Sequence, residues 1–139
     1  DFHGNRFGID DGVPCLGGAV DKAVTAFIED LDQRGMSDDV LLVITGEFGR
    51  TPLINKNAGR DHWGGICPLV LSGGGLNMGQ VIGQSDKTGG KPVSDPVTTA
   101  QLTSTILHTL VDPGEVRLLP QIPPGIQETL SRAEPIRQL

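Results

Sequence analysis

The first regular pattern along the chain is a helical spacing of apolar residues between positions 17 and 34. Apolar side chains recur at three- and four-residue intervals: Val20, Val24, Phe27 and Leu31. This spacing places them on one face of a helix, opposite a charged face. Gly35 follows directly, and glycine is common just beyond the end of a helix. The pattern therefore predicts an amphipathic helix over residues 17–34.

Two short apolar runs without polar alternation come next, at residues 40–45 and 67–72. Runs of this kind are typical of strands that are buried on both faces in a parallel sheet. A helix, a tight turn and a buried strand together predict one repeat of a layered α/β fold. After the second run and Gly73–Gly75, residues 80–83 predict a short strand of an edge hairpin.

The remaining sequence predicts a loop, a second helix and a tail. Residues 85–95 are polar and glycine-bearing, which indicates a surface loop. Asp95 as N-cap and Pro96 in the first turn predict a helix over residues 96–110. Residues 111–139 are proline-rich and predict a tail, with a short helix near residues 127–132.

Composition narrows the class of protein. A chain of 139 residues predicts at most one domain, and 37% apolar residues can support a core, although 20 glycines and 10 prolines indicate many loops. The net charge of −6, without a basic run, argues against nucleic-acid binding. No apolar run is long enough to predict a membrane span. Cys15 and Cys67 are predicted to be unpaired.

The stretch with most chemical content is the long loop that begins at Glu47 and ends at Arg60-Asp61-His62. Glu47 lies two residues beyond the first predicted strand, and ligands of open α/β sheets bind just beyond the carboxyl ends of strands. Loops of this length within a compact domain are usually functional or disordered. The acidic start and the Arg-Asp-His end favour a functional loop.

The candidate metal ligands lie in this loop and at the beginning of the chain. Asp1 and His3 are two positions apart, so in extended chain both side chains lie on one face, although turn chemistry alone also produces such a pair. The complete candidate set is Asp1, His3, Glu47, Asp61 and His62. Carboxylates with imidazoles suit zinc, manganese or another divalent transition ion. Arg50 and Arg60 are candidates for binding a tetrahedral oxyanion.

Two further features leave alternatives open. Gly73-Gly74-Gly75 after a strand can cradle a phosphate through backbone amides, or it can be a flexible turn. It lacks the Lys-Ser/Thr ending of a P-loop. His108 lies within the second predicted helix, where a surface or core role competes with metal binding.

Several motifs together resemble one family. TGEFGRTP at 45–52 is followed by NAGRDHW at 57–63, then GGG at 73–75 and GQVIG at 79–83, with DFHGNRF at the start and EPIRQL at the end. This ordered set is similar to the domain of unknown function 1501 family, sulfatase-like bacterial proteins placed in the alkaline phosphatase superfamily. The resemblance covers essentially the whole chain.

The resemblance implies an alkaline phosphatase-like α/β/α sandwich around a mainly parallel sheet. It also implies that residues 1–139 are a single partial domain, the carboxy-terminal part of a larger protein. By position, Asp1 and His3 resemble the superfamily's Asp/His metal pair, and His62 resembles the last histidine ligand of that metal. Glu47 takes the place of an aspartate.

Two departures from the superfamily pattern matter. The superfamily usually shows Asp-His where this chain has Glu47-Phe48, and phenylalanine cannot bind a metal. The nucleophile is normally a Ser, Thr or modified Cys early in the catalytic domain, so it is expected outside this chain. Thr45 and Thr51 do not occupy its position.

These observations leave three hypotheses. The first is a metal-dependent hydrolase of phosphate or sulfate esters, acting on an anionic small molecule or glycan ester. The second is a non-catalytic metal- or anion-binding module of the same fold, and the third is a structural α/β piece without a site. The resemblance suggests an exported or periplasmic protein. Exposed strand edges and apolar faces predict self-association of the chain alone.

Overall fold

The computed structural model describes residues 9–94, 96–116, 118–132 and 134–139, which form a mixed α/β structure. The helices are α1 (Ile9–Gly12), α2 (Gly18–Gln33), α3 (Thr99–Leu110), α4 (Pro113–Val116) and α5 (Pro124–Arg132), and a π-helical turn (Val13–Gly17) joins α1 to α2. The strands are β1 (Leu41–Thr45), β2 (Gly49–Arg50), β3 (His62–Trp63) and β4 (Leu69–Gly73). The α/β class is as the sequence predicts.

The two longer strands pair with each other, but not in the predicted direction. β1 and β4 are antiparallel, with Leu41 opposite Gly73 and Thr45 opposite Leu69. A parallel pair needs a crossover that returns the chain to the same end of the sheet. Here the segment between the strands forms the hairpin of β2 and β3 and enters β4 beside the end of β1. Both sheets in the described part of the chain are therefore small and antiparallel.

Helix α2 confirms the predicted amphipathic helix, and its end follows the expected chemistry. Gly35 has a φ of 67°, and its amide donates to the carbonyl of Asp32. Glycine tolerates this left-handed conformation, which closes the last turn. None of the residues of α2 is buried, and Val20 and Phe27 remain 54% and 42% exposed. The apolar stripe therefore faces solvent in this chain.

The triple glycine is a tight turn between β4 and the rest of the chain. Gly73, Gly74 and Gly75 all have positive φ angles, of 81°, 67° and 70°. A Cβ on Gly74 would lie 2.7 Å from Cγ2 of Thr109 and 3.0 Å from Cβ of Leu41. Packing between β1 and α3 thus explains the glycine at position 74. The strand predicted at residues 80–83 does not form, and Val81 is 96% exposed.

Helix α3 begins later than the sequence predicts. Its N-cap is Thr98, whose hydroxyl accepts from the amide of Gln101 while the side chain of Gln101 accepts from the amide of Thr98. This reciprocal capping box satisfies two amides that would otherwise have no partner in the first turn. The helix therefore starts at Thr99 and not at Pro96; the proposed cap Asp95 lies outside the described residues.

The buried part of the structure lies around α3 and α5, which pack against each other. The segment predicted as a proline-rich tail forms α4 and α5, and it supplies three buried apolar residues: Val116, Leu130 and Ile136. The short helix predicted near residues 127–132 is confirmed as part of α5. No helix in the described ranges is long and apolar enough to cross a membrane.

Candidate functional site

The candidate site is built on the hairpin of β2 and β3. Arg50 pairs with His62 and Gly49 pairs with Trp63, so the two ends of the long loop lie side by side. A Cβ on Gly49 would overlap the carbonyl oxygen of Ile66. Glycine at this position allows the segment before β4 to cross close to the hairpin. The hairpin brings together one arginine and one histidine of the predicted site.

Phe48 organises the aromatic side of the hairpin. The centroid of its ring lies 3.9 Å from that of the His62 imidazole, with an angle of 32° between the planes. The Cζ atom of Arg50 lies 5.9 Å from the same ring centroid, within the range of a cation–π interaction. Phe48 thus contacts both residues, and its hydrocarbon ring has no atom that could bind a metal.

The two predicted oxyanion-binding arginines lie at one cavity. The cavity has a volume of about 330 Å³ and is lined by Arg50, Arg60, Ile9 and Val13. Nη1 of Arg50 donates to the carbonyl of Arg60 at 3.1 Å, and Nη1 of Arg60 donates to the carbonyl of Thr51 at 3.3 Å. Both guanidinium groups are therefore anchored by backbone carbonyls and half-buried.

The loop between the strands is closed by its own hydrogen bonds. The amide of Thr51 donates to the carbonyl of Asp61 at 3.0 Å, and the amide of Asp61 donates to the Thr51 hydroxyl at 3.1 Å. Oδ1 of Asn55 accepts from the amides of Asn57 and Gly59, and Nδ2 of Asn55 donates to Oδ1 of Asp61 at 2.9 Å. Together these bonds fix the loop against the hairpin.

A neighbouring turn is hydrogen-bonded to the hairpin. Nε1 of Trp63 donates to the carbonyl of Gly90 at 2.5 Å. That turn lies in the predicted surface loop and is organised by Asp86, whose Oδ1 accepts from the amides of Thr88 and Gly90 and from the Thr88 hydroxyl. Donation from Gly90, and then from Thr88, lowers the pKa of Asp86 below its ordinary value of 3.8.

The predicted metal ligands are only partly placed. Asp1 and His3 lie outside the described residues. Glu47 is exposed in the turn between β1 and β2, and His62 is exposed on β3. Asp61 is exposed as well, and its carboxylate accepts from Asn55. In the described ranges, no three His, Cys, Asp or Glu side chains form a group that could hold a metal ion.

The sequence patterns did not identify Thr51, Asn55 and Trp63 as residues that organise the site. A signal for Asn55 was present, because an asparagine side chain in a loop readily accepts from the amide two residues further on and forms an Asx turn. Nothing local signalled the contact of Trp63 with Gly90, because these residues are far apart along the chain. Cys15 and Cys67 are free, as predicted.

Comparison with known proteins identifies the family of the chain. A family model described as "Protein of unknown function (DUF1501)" matches residues 1–116. No curated protein and no solved structure matches the chain significantly. The matched region contains both arginines and every predicted metal ligand. The chain belongs to the DUF1501 family.

Proposed function

We propose that the cavity beside the hairpin binds the tetrahedral oxyanion of a phosphate or sulfate ester. The observation that carries this proposal is the position of Arg50 and Arg60, which line the same cavity from the two ends of one loop. A guanidinium group offers several N–H donors in a fixed plane and suits phosphate and sulfate oxygens. Each arginine uses Nη1 on a backbone carbonyl, which orients its planar group.

The reaction we propose is metal-dependent hydrolysis of such an ester by a sulfatase-like protein of the alkaline phosphatase superfamily. The finer fold proposal, an α/β/α sandwich, rests on the same motif resemblance; a mainly parallel sheet would have to lie outside β1 and β4, which pair antiparallel. Glu47 and His62 are our proposed ligands in the described part, with Asp1 and His3 completing the set. A bound divalent transition ion would polarise an ester oxygen. Because Asp61 accepts from Asn55, it fits the role of holding the loop.

Oxyanion binding tests the first part of this proposal. We expect calorimetry to detect binding of inorganic sulfate or phosphate to the protein. Arg60→Ala should weaken binding about ten- to hundredfold, the range for loss of a hydrogen bond to a charged group. Lys87→Ala, which removes an exposed cation from the separate 85–92 turn, is the matched control. Equal weakening in both variants would indicate only a general charge effect.

Elemental metal analysis tests the second part. We expect a transition ion in the purified protein, and a fall in metal content in His62→Ala. His108→Gln is the control, because His108 lies on α3 and not on the hairpin. Metal that is equally retained in His62→Ala would contradict the ligand assignment. A protein that neither carries nor takes up metal would contradict the hydrolase proposal but not oxyanion binding.

A non-catalytic anion-binding module is the second candidate function. The observation that favours it is Phe48, which stands where the superfamily usually has a histidine ligand and whose ring packs against His62. Under this proposal, oxyanion affinity does not change when metal is removed with a chelator. Turnover of 4-nitrophenyl phosphate or sulfate that depends on His62 would contradict it.

A further inference from the structure

A second cavity lies where three segments of the chain meet. Its volume is about 270 Å³, and its walls come from the glycine turn after β4 (residues 73–76), from helix α3 and from the carboxy-terminal segment (residues 134–139). No described residue lines both this cavity and the cavity of the two arginines. A ligand site here would therefore be separate from the proposed oxyanion site.

Hydrogen bonds join the walls of this cavity to each other. The amide of Ile136 donates to the hydroxyl of Thr105 at 2.9 Å, which ties the carboxy-terminal segment to α3. The amide of Asn77 donates to the carbonyl of Leu139 at 3.2 Å, which ties the same segment to the chain just after the glycine turn. Because the walls are already held in place, a ligand that enters the cavity orders little additional chain.

One polar atom at this cavity has no partner among the described residues. His108 lines the cavity from α3, and its Nε2 atom is buried without a hydrogen bond to any residue of the described ranges. A buried polar atom that stays unpaired destabilises a fold, and such atoms in native proteins are usually satisfied. The position of Nε2 therefore indicates a group that enters the cavity and forms a hydrogen bond with it.

A hydroxyl is the group that fits this atom best. The ring nitrogen of a neutral imidazole is a donor in one tautomer and an acceptor in the other, and a hydroxyl can pair with either. Among the described residues of the lining, none is acidic and none is lysine or arginine. A charged ligand would thus meet no oppositely charged side chain except the imidazole itself. Leu76, Pro135 and Ile136 add apolar surface to the walls.

A phosphate bound by the glycine turn is the competing ligand. Backbone cradles for phosphate use several successive amides that are free to donate to the anion. Here the amide of Gly74 donates to the carbonyl of Ser37, and the amide of Leu76 donates to the carbonyl of Gly73. Two of the three turn residues that line the cavity have therefore already used their amides within the protein, which disfavours a phosphate.

We infer that this cavity binds a small uncharged molecule that carries a hydroxyl group on a compact apolar body. The hydroxyl pairs with Nε2 of His108, and the apolar body packs against Leu76, Pro135 and Ile136. A volume of about 270 Å³ lies at the lower end for ligand cavities, so the ligand is a single small ring or a short chain. This inference goes beyond the proposed function and does not depend on it.

The experiment titrates the protein with cyclohexanol, cyclohexanecarboxylate and cyclohexylammonium, which share one apolar body. The methyl signals of Thr105, Thr109 and Ile136 report binding by NMR. We expect saturable binding of cyclohexanol, and at least about threefold weaker binding of both charged analogues, because a buried charge needs a partner. Intermolecular contacts between the cyclohexanol ring and the Ile136 methyl groups should appear in the unsubstituted protein.

Substitution of His108 tests the proposed hydrogen bond. His108→Leu should weaken cyclohexanol binding about three- to tenfold, the range for loss of one neutral hydrogen bond. His108→Gln retains a polar side chain and should bind cyclohexanol more tightly than His108→Leu does. The matched control is Thr103→Leu, which places the same side chain on the exposed surface of α3, outside the cavity, and should leave the affinity unchanged.

The unfolding midpoint of the ligand-free protein gives a second measurement. Because His108→Leu removes a buried atom that has no partner, this variant should unfold at the same temperature as the original protein or at a higher one. Cyclohexanol should raise the midpoint of His108→Leu less than it raises that of the original protein. A marked fall of the ligand-free midpoint, with cyclohexanol binding retained, would overturn the inference and indicate a purely structural role of His108.

The remaining outcomes also decide the inference. Cyclohexanol binding that does not saturate, or that weakens equally in His108→Leu and Thr103→Leu, would overturn it and indicate non-specific binding. Equal affinities for cyclohexanol and its charged analogues would overturn the role of the hydroxyl. Inorganic phosphate that displaces cyclohexanol and shifts the same methyl signals would overturn the inference in favour of a phosphate cradle.

Discussion

Two amphipathic helices of this structure differ in whether their apolar face is covered by another element. Helix α5, in the carboxy-terminal segment, packs against α3, and Leu130 is only 7% exposed. Helix α2 is longer and has a longer apolar stripe, yet none of its residues is buried and Val20 is 54% exposed. The periodic pattern specifies which face of a helix is apolar. Whether that face is covered depends on a second surface.

The difference also appears in the polar groups of the two regions. In α3 the hydroxyl of Thr105, a residue 2% exposed, donates to the carbonyl of Gln101 and accepts from the amide of Ile136. This side chain therefore joins α3 to the end of the chain. Asp30 of α2 forms an ion pair with Arg34, just beyond the end of the helix, but both side chains are largely exposed. Exposed pairs of this kind contribute little to stability.

The largest effect we predict comes from truncating the buried leucine. Leu130→Ala should lower the free energy of unfolding by about 2–5 kcal/mol, because it leaves a cavity between packed elements. Val20→Ala on α2 should change it by less than about 0.5 kcal/mol. Leu110→Ala, at a leucine that is 67% exposed, controls for the substitution itself. Urea denaturation at a protein concentration where the chain is monomeric measures all three, and a large loss for Val20→Ala there would mean that another part of the same chain covers α2.

The second prediction concerns the buried hydroxyl. Thr105→Val keeps the shape of the side chain but leaves the amide of Ile136 without its acceptor, so we expect a loss of about 1–3 kcal/mol. The control is Thr103→Val, on the same helix, whose hydroxyl donates only to the carbonyl of Thr99 at the exposed surface. Equal losses in the two variants would contradict the connecting role of Thr105.

The third prediction concerns the helix cap. Thr98→Ala removes the capping box of α3 and should cost about 1 kcal/mol, measured by urea denaturation. The N-cap position of α2 is Gly17, which makes no side-chain cap hydrogen bond. Gly17→Ser should therefore change stability by less than half as much as Thr98→Ala. A similar change in stability for the two variants would mean that α2 also depends on a cap, although Gly17 makes no side-chain cap hydrogen bond.

The fourth prediction concerns substitutions on the exposed face of α2. They should change the free energy of unfolding least, but they should change self-association most. We predict that the chain self-associates through this face, because apolar side chains there face solvent. Val20→Ser/Phe27→Ser should shift the protein to monomer in light-scattering measurements while the unfolding midpoint changes little. The control Leu118→Ser, at a leucine that is 81% exposed elsewhere, should leave the assembly intact. A wild-type monomer at high concentration would contradict the prediction.

Local sequence signals identified the loop that carries the candidate residues, but not the elements that pack around it. The loop that ends at Arg60-Asp61-His62 was identified from its length and residue types, and the hairpin does bring Arg50 opposite His62. The contribution of Ile9 and Val13 to the cavity was not predictable, because these residues come from another element. The metal-ligand set stays a prediction, since Asp1 and His3 lie outside the described residues.

The sequence by itself determined helices α2 and α3, the strand segments β1 and β4, the glycine that ends α2 and membership of the DUF1501 family. These follow from local periodicity, backbone preference and ordered motifs, which short stretches of chain carry on their own. Only the tertiary structure decided that β1 and β4 run antiparallel, that Leu130 is buried while Val20 is exposed, and that two arginines share one cavity. Each of these features depends on contacts between residues that are far apart in sequence, and a local sequence pattern does not specify such contacts.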